Sequence, residues 1–306
     1  MFNNENPRRI LPIGIQPVTD ETILNNEFLI KKYTGTDTPE LYAHTAKFCR
    51  KVGFDWRWLN EEITYTYNNC GLRMSEHIHD DYDFSETYVV LGCSFVEGIG
   101  CPEDETISAW IQKLTGFKTL NFGNGGSGCD IVFYNAVWLA SRPKPPKKIF
   151  ILWPAPTRFS RFRLYLDERR DLILPEDNYD LVRAFMNTNS AGNNIFDNYY
   201  KINIFADPQP QLSNKLLWRE LLKAHWGDNM VELDIMDDTA PGYMDDAKSM
   251  FFDWDELTLE EKLNRGFARD LRAGTIANYM AGDNFAMPSH WGTIMYERVA
   301  KWFISQ

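Results

Sequence analysis

Tyr88-Val89-Val90-Leu91-Gly92-Cys93-Ser94-Phe95-Val96-Glu97-Gly98-Ile99-Gly100 is the stretch whose reading decides the fold. A β-branched and aromatic run stops at small residues, and an amphipathic segment from Thr106 to Leu114 follows, which reads as strand, tight loop and helix. Ser94 then stands just past the C-terminal end of a strand. Open α/β sheets bind ligands there, because strand carboxyl ends and helix N-termini converge on that edge.

Working outward, Lys118 to Phe122 predicts a second strand, ending in Asn121-Phe122-Gly123-Asn124-Gly125-Gly126-Ser127-Gly128. Four glycines in six residues require a backbone that visits positive φ or approaches a neighbour closely. Asp130 to Ala140 reads as a helix. The basic, proline-stiffened linker Arg142 to Lys148 leads into Ile149-Phe150-Ile151-Leu152-Trp153, an apolar run that fits a strand buried on both faces of a parallel sheet. It stops at Pro154-Ala155-Pro156-Thr157-Arg158. Strands joined by helical crossovers imply a doubly wound α/β sheet, and right-handed crossovers put the loops at Gly92–Ser94, Gly123–Gly128 and Pro154–Arg158 on one edge.

Residues 159–212 are arginine- and asparagine-rich with weak periodicity and read as an insertion or lid. Lys215 to Ala224 predicts an amphipathic helix and Met230 to Asp234 a fourth strand, whereas Asp237 to Asp255 is strongly acidic and reads as a solvated loop. A loop from Asp283 to Gly292 precedes a closing amphipathic helix from about Thr293 to Ile304. On the other side, residues 1–84 form a lead-in outside the βα alternation, packed on a main domain at 85–306. Within it Glu40 to Val52 reads as a helix, Ile63 to Tyr67 as a short strand, and Phe54-Asp55-Trp56-Arg57-Trp58 as packing aromatics. His77-Ile78-His79-Asp80-Asp81 offers metal-ligand side chains, but no third ligand has a recognisable spacing, and a solvated acidic loop is the expectation.

The chain has 306 residues, 44% hydrophobic and 25% charged, which is the composition of a folded globular protein. A net charge of -11 disfavours a nucleic-acid backbone as partner, since that surface needs clustered Lys and Arg. Five cysteines without a C-x-x-C pair encode neither a local zinc site nor a disulfide framework. The start Met1-Phe2-Asn3-Asn4-Glu5 lacks a basic region followed by an apolar one, so no secretory signal is expected. No apolar run approaches the roughly 18 residues of a membrane helix. A soluble protein, cytoplasmic or virion-associated, is expected, in an oligomeric state that the sequence leaves open.

A serine acts as nucleophile when it has a base, a group that orients the base, and donors for the developing oxyanion. Among His44, His77, His79, His225 and His290, the last is best placed, in a loop before the final helix and on the edge that carries Ser94. Asp283 lies upstream in the same loop and can hold the imidazole tautomer; Asp270 is the alternative. Gly126 and Ser94 can each present a backbone N–H to an oxyanion. The α/β-hydrolase elbow needs glycine two residues after the serine; Val96 stands there, so that reading fails. In the plain alternative, Ser94 only caps its loop, His290 makes a structural hydrogen bond and Arg158 is a surface residue.

Gly92-Cys93-Ser94-Phe95-Val96-Glu97-Gly98 resembles the first block, G-D-S-x-x-x-G, of the SGNH or GDSL-type hydrolases. Asn121 followed by Gly126 is similar to their second block, and the loop ending Ser289-His290-Trp291-Gly292 to their last. Tyr67-Asn68-Asn69-Cys70-Gly71-Leu72-Arg73 resembles the lead-in of many bacterial and phage-borne members. The resemblance covers about residues 63–153 and 266–304. It implies a three-layer α/β/α sandwich with a flavodoxin-like parallel sheet of about five strands. It also implies Ser94 as nucleophile, His290 as base, Asp283 as its orienter, and the N–H groups of Ser94 and Gly126 as oxyanion donors. The reaction implied is ester hydrolysis through an acyl-enzyme, often at O-acetyl groups on carbohydrate, without metal or organic cofactor. Three positions depart from the family pattern. Cys93 replaces the Asp of the first block, Trp153 to Arg158 lacks the Asn donor of the third, with Arg158 available to supply charge there, and Met287 fills the place three residues before His290.

The expected function is therefore a serine esterase acting on a small-molecule or glycan ester. Its rivals are an O-acyltransferase using the same residues, a catalytically silent SGNH-like module that binds carbohydrate or builds a virion, and a nucleotide-binding α/β protein. The last lacks a Gly-Lys-Ser/Thr after either glycine loop.

Overall fold

The computed structural model describes residues 28–32, 39–79, 81–154, 159–162, 183–186, 209–234, 256–266 and 290–306. The lead-in builds an antiparallel pair, β1 (Leu29–Lys32) and β2 (Thr64–Tyr67), separated by helix α1 (Pro39–Val52). Trp56, Trp58, Ile63, Tyr65 and Tyr67 bury their side chains with Cys49 and with Leu263 from near the other end of the chain. Arg57 fastens this cluster from outside. Its guanidinium donates to both Glu105 oxygens at 2.7 and 2.9 Å, and its backbone N–H to Asn264 Oδ1 at 2.8 Å.

Beyond it run β3 (Thr87–Gly92), α2 (Ser94–Glu97), α3 (Ile107–Thr115), β4 (Lys118–Gly123), α4 (Cys129–Ala140) and β5 (Lys148–Trp153). The second half holds β6 (Phe159–Phe162), β7 (Arg183–Met186), α5 (Gln209–Trp226), β8 (Met230–Asp234), α6 (Leu259–Glu261) and α7 (Thr293–Ser305). Four strands pair in parallel in the order β4-β3-β5-β8. Each crossover returns the chain to the same edge, and the order second, first, third, fourth is the flavodoxin-like one. The expected sheet of about five strands thus has four among the described residues.

Alternation along these strands makes three layers. Val89, Leu91, Ile149 and Ile151 face α4 and α5, packing on Val132, Ala136, Leu139, Leu222 and Trp226. Val90, Phe150, Leu152, Val231 and Leu233 face the other way, onto Ile107, Ile111, Met295, Tyr296, Val299 and Phe303 of α3 and α7. Both faces are covered, so the central strands β3 and β5 read as continuous apolar runs rather than alternating ones. The fold is an α/β/α sandwich. Helix α3 is delimited locally: Thr106 Oγ1 accepts the Ala109 N–H at 3.3 Å, and Gly116, at φ +75°, closes its C-terminus. Helix α5 starts earlier than the periodicity suggests, at Gln209 and across Pro210, a residue that the first helical turn accommodates.

Register sets the edge flush. Gly92 lies opposite Gly123 on one side and Leu152 on the other, and Trp153 lies opposite Asp234. The residues read as an insertion contain the antiparallel pair β6–β7. Among the described residues no helix is long and apolar enough to cross a membrane. All five cysteines are buried thiols, none of them in a disulfide.

Candidate functional site

Ser94 opens α2, a single turn laid across the carboxyl ends of β3 and β4. The Cys93 carbonyl accepts the N–H groups of Val96 and Glu97 at 3.0 Å each, and the Ser94 carbonyl accepts those of Gly98 and Ile99 at 3.0 and 3.2 Å. Gly98, at φ +79°, ends the turn. Two glycines are dictated here by close approach rather than by φ. A methyl group at Gly92 would lie 2.5 Å from Val96 Cγ2 and 2.8 Å from the Leu152 carbonyl oxygen, and one at Gly123 only 2.1 Å from the Glu97 nitrogen. The serine turn therefore rests directly on the sheet edge.

The second loop is anchored to the first strand, because Asn124 N–H donates to the Gly92 carbonyl at 3.0 Å. Asn121 Oδ1 accepts the Gly123 N–H at 2.9 Å. Asn124 to Ser127 then form a turn closed by Ser127 N–H to the Asn124 carbonyl at 3.1 Å, with Gly126 at φ +75° in its third position, where only glycine is free of strain. Gly126 thus stands in the loop beside α2, the two loops being joined through Gly92, Gly123 and Glu97.

His290 comes from the far end of the chain. It is buried, and its ring packs against Phe95, the neighbour of Ser94, with centroids 5.2 Å apart. Phe95 also packs on Trp291 at 4.5 Å, and the Gly292 N–H donates to the Gly266 carbonyl at 2.8 Å, fixing the entry to α7. The structure so brings Ser94, Gly126 and His290 to one edge. Asp283, Asp270, Met287 and Arg158 lie outside the described residues.

The back of the serine turn is held by residues that sequence reasoning did not assign to the site. Glu97 is fully buried and accepts the Tyr67 hydroxyl at 2.9 Å. Burial pushes its carboxyl above the ordinary carboxylate range, against the opposing pull of Arg73, of Tyr67 and of the Gly125 backbone N–H. Arg73, equally buried, donates to the carbonyls of Glu97, Gly98 and Cys101 at 3.0, 2.6 and 2.6 Å, and its guanidinium lies 3.7 Å from the centre of the Tyr65 ring. Tyr65 in turn accepts the Gly100 N–H at 2.6 Å. Asn68 and Asn69 shape the loop that delivers Arg73: Asn68 Oδ1 accepts the N–H groups of Cys70 and Leu72, and Asn69 accepts that of Ile78. The Asn69 N–H donates to His77 Nδ1 at 3.2 Å, so that nitrogen serves the loop, and Ile78 beside it is fully buried rather than solvated.

A second polar cluster lies where β8 ends. Lys215 and Asp234 form a fully buried ion pair, and Glu232 accepts from Arg219 at 2.8 and 2.9 Å, from Trp153 Nε1 at 2.7 Å and from Lys223 at 2.8 Å. Burial raises the Glu232 pKa, but these donors outweigh it and hold the carboxyl below its ordinary value.

Fold and edge together define an α/β protein with a doubly wound parallel sheet and a serine, a glycine turn and a histidine gathered at the strand carboxyl ends. No family model matches the chain, and no curated protein matches it. Among solved structures it is similar to AlinE4, an SGNH-hydrolase family esterase, at 20% identity over 22% of this chain and 39% of that chain, with a TM-score of 0.19. The match spans well under half of that chain's length. The fold stands on the strands, register and layers described above.

Proposed function

We propose that the chain is a serine esterase of the SGNH type. Ser94 Oγ attacks the acyl carbonyl carbon of an ester while His290 takes the hydroxyl proton, and Asp283, with Asp270 as the alternative, orients the imidazole. The carbonyl oxygen becomes an oxyanion facing the N–H groups of Ser94 and Gly126, with Arg158 adding positive charge from the loop after β5. Collapse breaks the bond to the alcohol oxygen, which takes the proton from His290. A water molecule, deprotonated by the same histidine, then attacks the acyl-enzyme, releasing the acid and free Ser94. An O-acetyl group on a carbohydrate is the substrate class to which the sequence resemblance points.

The observation that carries this reading is the meeting of three blocks distant in sequence. His290 packs 5.2 Å from the ring of Phe95, next to Ser94, while the turn that begins at Ser94 rests on Gly123 at the root of the Gly126 loop. A cap serine alone explains neither contact. The test is hydrolysis of p-nitrophenyl acetate by the wild-type, Ser94→Ala and His290→Ala proteins, with fluorophosphonate labelling located by mass spectrometry. Activity lost in both variants together with label on Ser94 supports the mechanism. Undiminished turnover by Ser94→Ala sinks it.

A further inference from the structure

We infer that Arg73 is a positioning residue that holds the nucleophile and the base of the site in one frame, with one arm to the Ser94 turn and the other to the segment of His290. The inference rests on the esterase reading and adds to it a residue that does not touch substrate. The first arm runs through two peptide planes. Arg73 Nη1 donates to the carbonyls of Glu97 at 3.0 Å and Gly98 at 2.6 Å. The N–H groups on the far side of those same two peptides, the ones of Gly98 and Ile99, donate to the Ser94 carbonyl at 3.0 and 3.2 Å. A peptide unit is planar, so fixing each carbonyl fixes the direction of the N–H that grips Ser94.

The second arm runs to the base. Arg73 Nη2 donates to the Cys101 carbonyl at 2.6 Å, and the Cys101 thiol donates to the Trp291 carbonyl at 3.4 Å. Trp291 is the neighbour of His290, and the two rings pack on Phe95 at 4.5 and 5.2 Å. Tyr65 backs the guanidinium with its ring at 3.7 Å, while its hydroxyl accepts the Gly100 N–H at 2.6 Å, between the two anchored stretches. A turn that needed only an end is already closed by Gly98, whose N–H returns to the Ser94 carbonyl. The guanidinium goes further, to Cys101. Its rigid fork reaches both groups of carbonyls at once, which the point charge of a lysine does not. A cation buried as completely as Arg73 is costly without such partners. Shifting Ser94 against His290 lowers the rate of the chemical step without changing how the ground-state ester binds.

The test combines steady-state kinetics on p-nitrophenyl acetate with amide hydrogen exchange in Arg73→Lys and Tyr65→Phe. Exchange is read in peptides covering residues 94–101 and 290–296, with 215–226 as the reference for global opening. Arg73→Lys keeps the charge and loses the fork. It is expected to lower kcat about 100-fold with KM within about threefold, the scale of a misplaced reacting group. Exchange should quicken in 94–101 and 290–296 and stay as it is in 215–226. Tyr65→Phe keeps the ring behind the guanidinium but loses the acceptor for Gly100, and should show the same changes at smaller size. Wild-type kcat in Arg73→Lys overturns the inference, as does a loss carried by KM or one that only follows the fraction of unfolded protein. So does faster exchange confined to 94–101, which leaves His290 outside the frame. If Arg73→Lys does not fold, the same outcomes in Tyr65→Phe decide. A wild-type protein without esterase activity removes the esterase reading alone, since exchange in the two peptides still decides whether Arg73 ties them together.

Discussion

Gly123→Ala places a methyl group in the most crowded spot of the sheet edge. Its carbon would lie 2.1 Å from the Glu97 nitrogen, 2.5 Å from the Val96 carbonyl carbon and 2.6 Å from the Glu97 Cα. All three are backbone atoms, so no rotamer change relieves the contact, and α2 has to retreat from β4 by roughly 1.5 Å before ordinary packing distance is restored. Overpacking of this kind costs about 1–3 kcal/mol, or roughly 2–5 °C in melting temperature. The retreat also carries Ser94 away from Gly126, and a displacement of about 1 Å at a reacting centre lowers kcat on the order of 100-fold. Gly116→Ala is the matched control. Gly116 has φ +75° but nothing within 4 Å of an added methyl group, and it closes α3 away from the serine. It should lose about 1 kcal/mol to left-handed strain and keep kcat within about twofold. The measurements are thermal melts followed by circular dichroism and p-nitrophenyl acetate turnover on both variants. A Gly123→Ala protein that melts and turns over like wild type would refute the claim that the serine turn seats on β4. The melting arm decides that point whatever the protein hydrolyses.

Two further outcomes follow from the buried charges. The Glu232 carboxyl is held below its ordinary pKa in the folded state, so its pairing stabilises fully above the unfolded carboxylate pKa of about 4.3 and is lost as pH falls through the folded value. Urea midpoints measured from pH 7 downward should therefore drop below about pH 4.5, and Glu232→Gln should flatten that drop; an identical pH profile in the variant contradicts the assignment. Lys215→Met leaves Asp234 buried with Arg219 Nη1 4.0 Å away as its next cation, and is expected to cost about 3–5 kcal/mol in urea denaturation. The double variant Lys215→Met/Asp234→Leu should recover much of that loss, and equal midpoints for single and double variants refute the pairing.

Sequence pattern reached as far as burial on both faces of the sheet made it legible. β3 and β5 are apolar runs, β4 and β8 are shorter apolar stretches closed by Gly123 and Asp234, and the pattern predicts each within a residue or two of where it lies. β1 escaped notice because it has four residues, two of them lysines, and exists only by pairing with β2. β6 and β7 escaped for the same reason, each short and each defined by its partner.

The site divides along a similar line. Ser94, Gly126 and His290 could be named because each stands in a segment that follows a strand or precedes the last helix, where a doubly wound sheet gathers its loops, and chemistry narrows what they can do there. Glu97 could not. A lone glutamate beside glycines reads as solvated, since Glu is seldom buried without partners. Its partners are Tyr67, thirty positions upstream, and Arg73, twenty-four. Burying this carboxylate depends on a tyrosine from one strand and an arginine from an asparagine-shaped loop arriving together, a fact of tertiary structure with no local signature. The same argument separates Arg73 from ordinary surface arginines. Its donors meet three backbone carbonyls at and just beyond the end of α2, on residues 24 to 28 positions further along the chain. The lead-in, which by pattern alone is an appendage to the βα alternation, is therefore built into the wall behind Ser94.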